Sequence, residues 1–178
     1  MFCSNYETDY GVGYVVTTED AVVSVGIPVV VAGNADRMEF APCPLSDFVA
    51  RMLKCYFSGE RVDFTPLPVL LDQFPPFRQQ VLRITRQLDY GEVCSYSQLA
   101  ARCGAPRGAR AIGGALGANP LPVIIPCHRV VAANGMLTGF SAPGGIHTKQ
   151  RMLLLEGIEF KGMKGTFGRV VMNRNNEK

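Results

Sequence analysis

Residues 122–131 read PVIIPCHRVV, and this short stretch decides how the second half of the chain is interpreted. An apolar run is followed, after one proline, by Cys127, His128 and Arg129. Valine and isoleucine are typical of a buried core. A cysteine beside a histidine and an arginine is typical of thiol chemistry, because such neighbours favour the thiolate. The sequence therefore predicts a reactive group at the edge of a core.

The residues alone leave two interpretations of Cys127 open, a nucleophilic thiol and a buried structural thiol. Neighbouring side chains in an extended segment point to opposite sides. His128 can therefore act on Cys127 only if the chain turns there or a water molecule bridges the two side chains. Because Pro120 and Pro122 precede the run, the segment is predicted to be extended.

The cysteine pattern favours neither a metal site nor a disulfide framework. The other five cysteines form no CxxC pair, and the chain has only two histidines, which makes a zinc site unexpected. These five read as buried or incidental thiols. They are Cys3, Cys43, Cys55, Cys94 and Cys103.

Length and composition set the class of protein. The chain has 178 residues, of which 47% are hydrophobic, enough for one domain or two small ones. It has no apolar run long enough for a membrane span and no basic, then apolar, leader at its start, so neither a membrane protein nor a secreted one is expected.

Charge is distributed unevenly along the chain. Residues 1–76 hold four basic and ten acidic side chains, whereas residues 77–156 hold nine basic and three acidic ones. The net charges are −6 and +6, and residues 157–178 add +3. This pattern favours a polyanionic partner for the second half, with an ordinary fluctuation in charge as the alternative.

The first part of the chain is predicted to be a small α/β unit. Residues 11–31 alternate valine-rich runs around a polar turn, which predicts a β-hairpin. Residues 44–60 predict a helix capped by Ser46. Four apolar side chains are expected to share its buried face: Phe48, Met52, Leu53 and Tyr56.

After Pro75 and Pro76 the character changes to helical. Residues 77–88 predict an amphipathic helix with Phe77, Val81, Ile84 and Leu88 on one face. Ser95 and Gln98 have the spacing of a capping box, which predicts that a short helix begins there. A second helix is predicted to begin near Arg107 and to end at Asn119. Two short helices across a tight turn resemble a helix-turn-helix.

The second of these helices is unusually rich in glycine. Gly108, Gly113, Gly114 and Gly117 lie in or beside it, and each interior glycine costs about 1 kcal/mol relative to alanine. That cost predicts close approach, either by another element of the protein or by a partner. Arg107 and Arg110, expected in its first turns, would favour phosphate.

Five motifs in this order resemble the O6-alkylguanine-DNA alkyltransferases, also called methylated-DNA–protein-cysteine methyltransferases. They are CSYSQLA, GGALGANPLPVII, PCHRV, NGMLTGFSAPGG and KQRMLLLEG, and the resemblance extends over about residues 77–157. It implies a variable, ribonuclease H-like α/β domain at 1–74. A mainly helical domain with a helix-turn-helix and the active-site cysteine would follow at 75–160, with a tail at 161–178.

The resemblance assigns a chemical role to four residues. Cys127 resembles the alkyl acceptor of the family, and His128 the histidine that polarises it through a bound water. Glu156 resembles the carboxylate that orients this histidine. Tyr96 matches the tyrosine that hydrogen-bonds the flipped guanine.

The resemblance also implies contacts to DNA and to the base. Arg110 matches the arginine that fills the space left by the base, and Asn119 the asparagine that braces the helix-turn-helix against the cysteine segment. The main chain of Cys127 and Val130 would accept hydrogen bonds from the guanine amino group. Ser141 matches the loop serine that contacts the alkylated oxygen, with Gly139 and Phe140 ranked below it.

One departure from the family lies in the loop of residues 138–149, TGFSAPGGIHTK. It is about two residues longer than usual and contains a proline. The placement of Ser141 and the size of the pocket therefore depend on this loop.

The implied activity is the transfer of alkyl groups, chiefly methyl, from O6 of guanine in double-stranded DNA to Cys127, after the nucleotide flips out. Each molecule would act once, as a monomer on the minor groove, without cofactor or metal, in the cytoplasm or a nuclear-type compartment. Two alternatives remain: a lesion sensor that transfers nothing, and a cysteine hydrolase that uses His147.

Overall fold

Residues 1–29, 40–161 and 169–170 are described by the structure, a computed structural model. Over these residues it is a mixed α/β protein. Most of the predicted tail at 161–178, and the last two residues of the predicted hairpin, lie outside the described residues.

The chain divides into two compact units. The first contains Met1–Gln79 and the short segment Asn119–Ile125, and the second contains Gln80–Ala118 and Pro126–Lys178. The segment before the cysteine therefore belongs to the first unit, while the cysteine itself belongs to the second.

A three-stranded antiparallel sheet forms the base of the first unit. Its strands β1 (Phe2–Thr8), β2 (Gly11–Thr17) and β3 (Val22–Val29) follow one another in chain order. The predicted hairpin is confirmed by the pairing of β2 with β3. Strand β1 was not predicted because its polar residues mask it. One of them, Ser4, is buried and hydrogen-bonds Ser46 and Asp47.

Helix α1 (Pro44–Phe57) packs on this sheet. Its cap differs from the prediction, and its buried face differs in part: Leu53 and Tyr56 are buried as predicted, but Phe48 is not. Cys43 is the N-cap, and Ser46 is its partner in the capping box at the third helical position. Phe48 is 48% exposed, whereas Val49 and Leu53 are fully buried. Neighbouring residues of a helix point about 100° apart. Because Val49 faces the sheet, Phe48 points towards solvent.

Four helices lie wholly or partly in the second unit, within the described ranges: α2 (Pro76–Thr85), α3 (Tyr96–Arg102), α4 (Ala109–Gly117) and α5 (Gly145–Leu155). The predicted capping box of Ser95 and Gln98 is confirmed. Arg107 does not lie in the helix, because Gly108 is the N-cap of α4. Of the predicted face of residues 77–88, Val81 and Leu88 are buried, while Phe77 is 38% exposed.

Short strands complete the second unit. β4 (Cys94–Ser95) pairs in parallel with β5 (Val130–Val131), and β6 (Phe160–Lys161) pairs with β7 (Arg169–Val170). In the part of the chain that is described, no helix combines the length and the apolar character that a membrane crossing requires.

The segment before the cysteine is a turn and not the extended strand that its prolines predicted. The Ile125 N–H donates to the Leu121 carbonyl over 2.8 Å, and Val123 has a φ of +74°. Positive φ is costly for a β-branched residue, so the surrounding structure must impose it; the side chain of Val123 is buried.

Candidate active site

Cys127 is the first residue of a short 3-10 helix, Cys127–Arg129. Its carbonyl accepts a hydrogen bond from the Val130 N–H, where β5 begins. The cysteine residue is 8% exposed. Because the chain turns at this point, the opposite-side geometry of an extended strand does not apply to Cys127 and His128. The condition set by the sequence, that the chain turn there, is met.

The two residues after the cysteine belong to a buried network of three charged or titratable side chains. His128 Nε2 lies 2.7 Å from Glu156 Oε1. Arg129 donates to both oxygens of the same carboxylate, from Nε over 2.8 Å and from Nη2 over 3.0 Å. His128 is 0% exposed and Glu156 5%. The predicted partnership of His128 and Glu156 is therefore present in the geometry, with Arg129 as an additional member.

The network extends to the turn after α2. Arg129 Nη1 donates to the Leu88 carbonyl over 2.6 Å, and the Gly91 N–H donates to Glu156 Oε2 over 3.2 Å. Gly91 has a φ of +76°, and a Cβ there would lie 3.2 Å from the Glu156 carbonyl oxygen. Glycine is therefore required for this turn to approach Glu156.

The electrostatics of the network determine where its protons lie. Burial opposes ionisation of Glu156, but the charge interaction and hydrogen bond with His128, and then those with Arg129, lower the pKa of this carboxyl. Burial lowers the pKa of His128, assisted by Arg129 and Lys149 and opposed by Glu156. At neutral pH the carboxylate is thus ionised and the imidazole neutral. Since an ionised carboxylate only accepts hydrogen bonds, Nε2 carries the imidazole proton and Nδ1 carries the lone pair.

A second buried cation, Lys149, was missed by the sequence reasoning. It lies on α5 and is 0% exposed, and its Nζ donates to the Val130 carbonyl over 2.6 Å and to the Thr138 carbonyl over 3.1 Å. Burial lowers its pKa to about 8, while the charge of Cys127 acts in the opposite direction. A lysine on a helix of low amphipathicity reads as a surface residue, so the sequence offered no signal.

Tyr96 is the first residue of α3, and its hydroxyl donates to the Thr138 carbonyl over 3.4 Å. Lys149 Nζ lies 5.7 Å from the centre of its ring. Burial raises the pKa of Tyr96, the charge of Cys127 raises it further, and the hydrogen bond to Thr138 opposes both. Tyr96 and Lys149 therefore both contact the carbonyl at the start of the long loop.

Two further predicted residues, Ser141 and Asn119, each bond to the main chain. The Ser141 hydroxyl donates to the Gly117 carbonyl over 2.8 Å, which ties the long loop to the end of α4. Asn119 donates from Nδ2 to the Ile125 carbonyl over 2.9 Å and accepts the Leu121 N–H, so it closes the turn before the cysteine.

Helix α4 presents a smooth exposed face. Ala111, Gly114 and Gly117 are exposed along it, and Arg110 lies at its N-terminal end. Among the described residues, no atom lies within 4 Å of a Cβ built on Gly114 or Gly117. Of the two explanations that the glycines allowed, close packing by another element is therefore not seen at these positions.

Comparisons with known proteins find a matching family model and similar sequences. The family model described as 6-O-methylguanine DNA methyltransferase, DNA binding domain, matches residues 76–158. Proteins named methylated-DNA–protein-cysteine methyltransferase are similar: that of Haemophilus influenzae is 39% identical over 69% of this chain and 68% of its own length. The human one is 37% identical over 85% and 72%.

A solved structure shows the same fold. The Mycobacterium tuberculosis OGT in complex with DNA superposes with a TM-score of 0.72 at 31% identity, over 88% of this chain and 92% of that one.

Proposed function

The chain belongs to the methylated-DNA–protein-cysteine methyltransferase family, and we propose that Cys127 is the residue that receives the alkyl group. The protein is a DNA repair methyltransferase that removes alkyl groups from O6 of guanine. The observation that carries the assignment of Cys127 is that the next residue, His128, is buried and paired with the buried carboxylate of Glu156.

The chemistry follows from the placement of protons. Neutral His128 takes the thiol proton at Nδ1 through a bound water, while Glu156 holds Nε2–H and stabilises the imidazolium that forms. The Cys127 thiolate attacks the alkyl carbon, so that an S–C bond forms and the C–O6 bond breaks. The electron pair of the broken bond stays on guanine, which gains a proton through the Tyr96 hydroxyl as it leaves; the proton that His128 took from the thiol balances it. The thioether has no route to hydrolysis, so each molecule acts once.

Recognition of the base uses the groups around Thr138. Tyr96 hydrogen-bonds the flipped guanine, and the carbonyl oxygens of Cys127 and Val130 accept from its amino group. In this structure the Cys127 carbonyl accepts the Val130 N–H and the Val130 carbonyl accepts from Lys149 Nζ, and a carbonyl oxygen has two lone pairs. The Ser141 hydroxyl gives up its hydrogen bond to the Gly117 carbonyl and donates to the alkylated oxygen instead.

DNA binding uses α3 and α4 as a helix-turn-helix, with α4 in the minor groove of a duplex. The exposed glycine and alanine face lets the helix backbone approach the DNA closely. Arg110 fills the space of the flipped nucleotide and Arg107 contacts phosphate, which supplies salt-dependent affinity with little sequence readout.

The organisation is proposed as a ribonuclease H-like domain at 1–74 and a DNA-binding and acceptor domain at 75–160. Asn119 links the end of α4 to the cysteine segment through its bond to Ile125. The protein is proposed to act as a monomer in whichever compartment holds the DNA, the cytoplasm of a prokaryote or a nucleus.

Peptide mapping tests the acceptor directly. The protein is incubated with a duplex that contains O6-methylguanine, and intact mass and digested peptides are measured. We expect one methyl group, on Cys127, and none on the Cys127→Ser variant. Cys43 is the matched control: burial raises the pKa of its thiol, but hydrogen bonds with Thr17 and Ser46 outweigh this and lower it. Methylation of Cys43, or of none, would contradict the proposal.

The role of α4 is tested by comparing two substrates. Arg110→Ala is expected to slow transfer from duplex DNA by about tenfold or more, through lost flipping and phosphate contacts, and to leave transfer from free O6-benzylguanine unchanged. Arg102→Ala, on the preceding helix, is the control for the loss of an exposed arginine. Equal loss on both substrates would assign Arg110 to the fold or the chemistry.

A further inference from the structure

Arg129 is bound on three sides, although nothing in the alkyl transfer itself requires it. Its guanidinium donates to Glu156 Oε2, to Glu156 Oε1 and to the Leu88 carbonyl, over 2.8, 3.0 and 2.6 Å. The residue is 7% exposed. Its centre also lies 5.8 Å from that of the Tyr90 ring. An arginine held in this way has one orientation only.

The Glu156 carboxylate is saturated by these contacts. It accepts from His128, from two nitrogens of Arg129 and from the Gly91 N–H. Four donors match the roughly four acceptor positions of a carboxylate. No lone pair remains to bind a further proton, and Arg129 offsets the negative charge that would otherwise draw a second proton to His128.

We propose that Arg129 is a positioning residue that keeps His128 neutral and fixes its proton on Nε2, so that the lone pair is on Nδ1, which acts as the base towards Cys127. The arginine acts through Glu156 and does not touch the alkyl group. The inference rests on the proposed function only for the base role; the protonation state of His128 is argued from the contacts and charges around Glu156.

Three charged groups face His128. Glu156, at the end of α5, favours the imidazolium; Arg129, on the 3-10 helix, and Lys149, on α5, disfavour it. Lys149 cannot replace Arg129, because its Nζ is directed to the carbonyls of Val130 and Thr138. Without Arg129, the negative charge of Glu156 is no longer offset. The His128–Glu156 pair therefore binds an additional proton at a higher pH.

Nitrogen NMR on the unmodified protein is the first test. The chain has only two histidines, and His147→Gln assigns their signals. We expect His128 at pH 7 to show a protonated Nε2 and an unprotonated Nδ1, and to remain neutral as the pH falls below 6.5. An imidazolium at pH 7, or a proton on Nδ1 of the neutral ring, would overturn the proposal without any variant.

Arg129→Met is the second test, since it removes the charge and retains much of the apolar length. Removal of a cation at this distance is expected to raise the protonation midpoint of His128 by about 1–3 pH units. Transfer from free O6-benzylguanine should shift with it, so that the acid limb of the rate moves to higher pH by a similar amount. Arg129→Lys keeps the charge and is expected to show less than half of that shift.

Arg102→Met is the matched control, because it removes the arginine of an exposed Arg102–Glu92 pair at 3.6 Å in the same unit. It should change neither the His128 titration nor the rate profile. If Arg129→Met folds and titrates like the unmodified protein, Arg129 is structural only. If Arg129→Met does not fold, the Lys variant and the unmodified protein still decide the inference. If no variant transfers alkyl groups, the His128 spectra are unaffected, and the proposed function alone fails.

Discussion

The two units bury different kinds of polar group. Within the described residues, and tyrosines aside, the buried polar side chains of the first unit are three neutral hydroxyls: Ser4, Thr17 and Ser46. The second unit also buries hydroxyls, but it adds His128, Arg129, Lys149 and Glu156. A hydrogen-bonded hydroxyl is a small cost to folding, whereas a buried ion pair is often no more stable than apolar residues of the same volume. The charged cluster therefore indicates selection for chemistry.

The same contrast separates two cysteines. Cys43, in the first unit, caps a helix, and its thiol exchanges hydrogen bonds with neutral groups. Cys127, in the second unit, directly precedes His128, whose Nε2 lies 2.7 Å from the carboxylate of Glu156. A lowered thiol pKa by itself is therefore not the mark of the acceptor. What distinguishes the acceptor is a neighbouring base, His128, whose Nε2 proton is held by Glu156.

The largest expected effect is on stability, when the charged cluster is broken. Glu156→Gln leaves the Arg129 charge buried without its counterion, which should lower the free energy of unfolding by about 3–5 kcal/mol. Glu92→Gln, in the exposed pair with Arg102, should cost about 0–1 kcal/mol. Denaturant unfolding measures both. Similar losses in the two variants would break the contrast between buried and exposed charge.

The next largest expected effect is that acid destabilises the second unit before the first. The pKa values of both Glu156 and His128 are lowered in the folded protein, so the unfolded chain binds more protons as the pH falls. Their contribution to stability is complete above about pH 6.5, the ordinary value for histidine, and is lost progressively below it. Hydrogen exchange at pH 7 and pH 5 should show protection falling in α5 and β5 before it falls in β2. Earlier loss in β2 would contradict this expectation.

Methylation of Cys127 is expected to have a smaller effect. The cysteine is 8% exposed, and the next residue, His128, is 0% exposed. An added methyl group at such a site typically costs about 1–3 kcal/mol by overpacking, which for a chain of this size lowers Tm by about 2–8 °C. Affinity for duplex DNA should decrease with it. Melting of the free and methylated proteins in one buffer measures the change, and an equal or higher Tm after methylation would show spare volume at the site.

The smallest expected effect comes from a substitution in the first unit. Ser46→Ala, in the first unit, removes an acceptor of the Cys43 N–H and a partner of Ser4. It should cost about 1 kcal/mol, as one hydrogen bond between neutral groups does. Alkyl transfer from free O6-benzylguanine should be unchanged. A measurable decrease in the rate of transfer would mean that the first unit contributes to the chemistry.

Local sequence signals predicted those elements whose cause is local. The valine-rich hairpin and the Ser95–Gln98 capping box depend on residues a few positions apart, and both are confirmed. Strand β1 was not predicted, because its buried Ser4 is hydrogen-bonded to Ser46, which is 42 residues away in the sequence. The buried face of α1 was predicted correctly at Leu53 and Tyr56 but wrongly at Phe48. Phe48 and Val49 both fit an apolar stripe, and only packing on the sheet distinguishes them.

By itself the sequence determined the order of the motifs, the family they resemble and the candidates Cys127, His128 and Glu156, because residue type and spacing carry that information. Only the tertiary structure decided that residues 121–125 form a turn and that Arg129 faces Glu156 and not the thiol. It also decided that Lys149 is buried. These outcomes depend on groups 19 to 28 residues apart, or on a backbone conformation that packing imposes, and no local pattern encodes them.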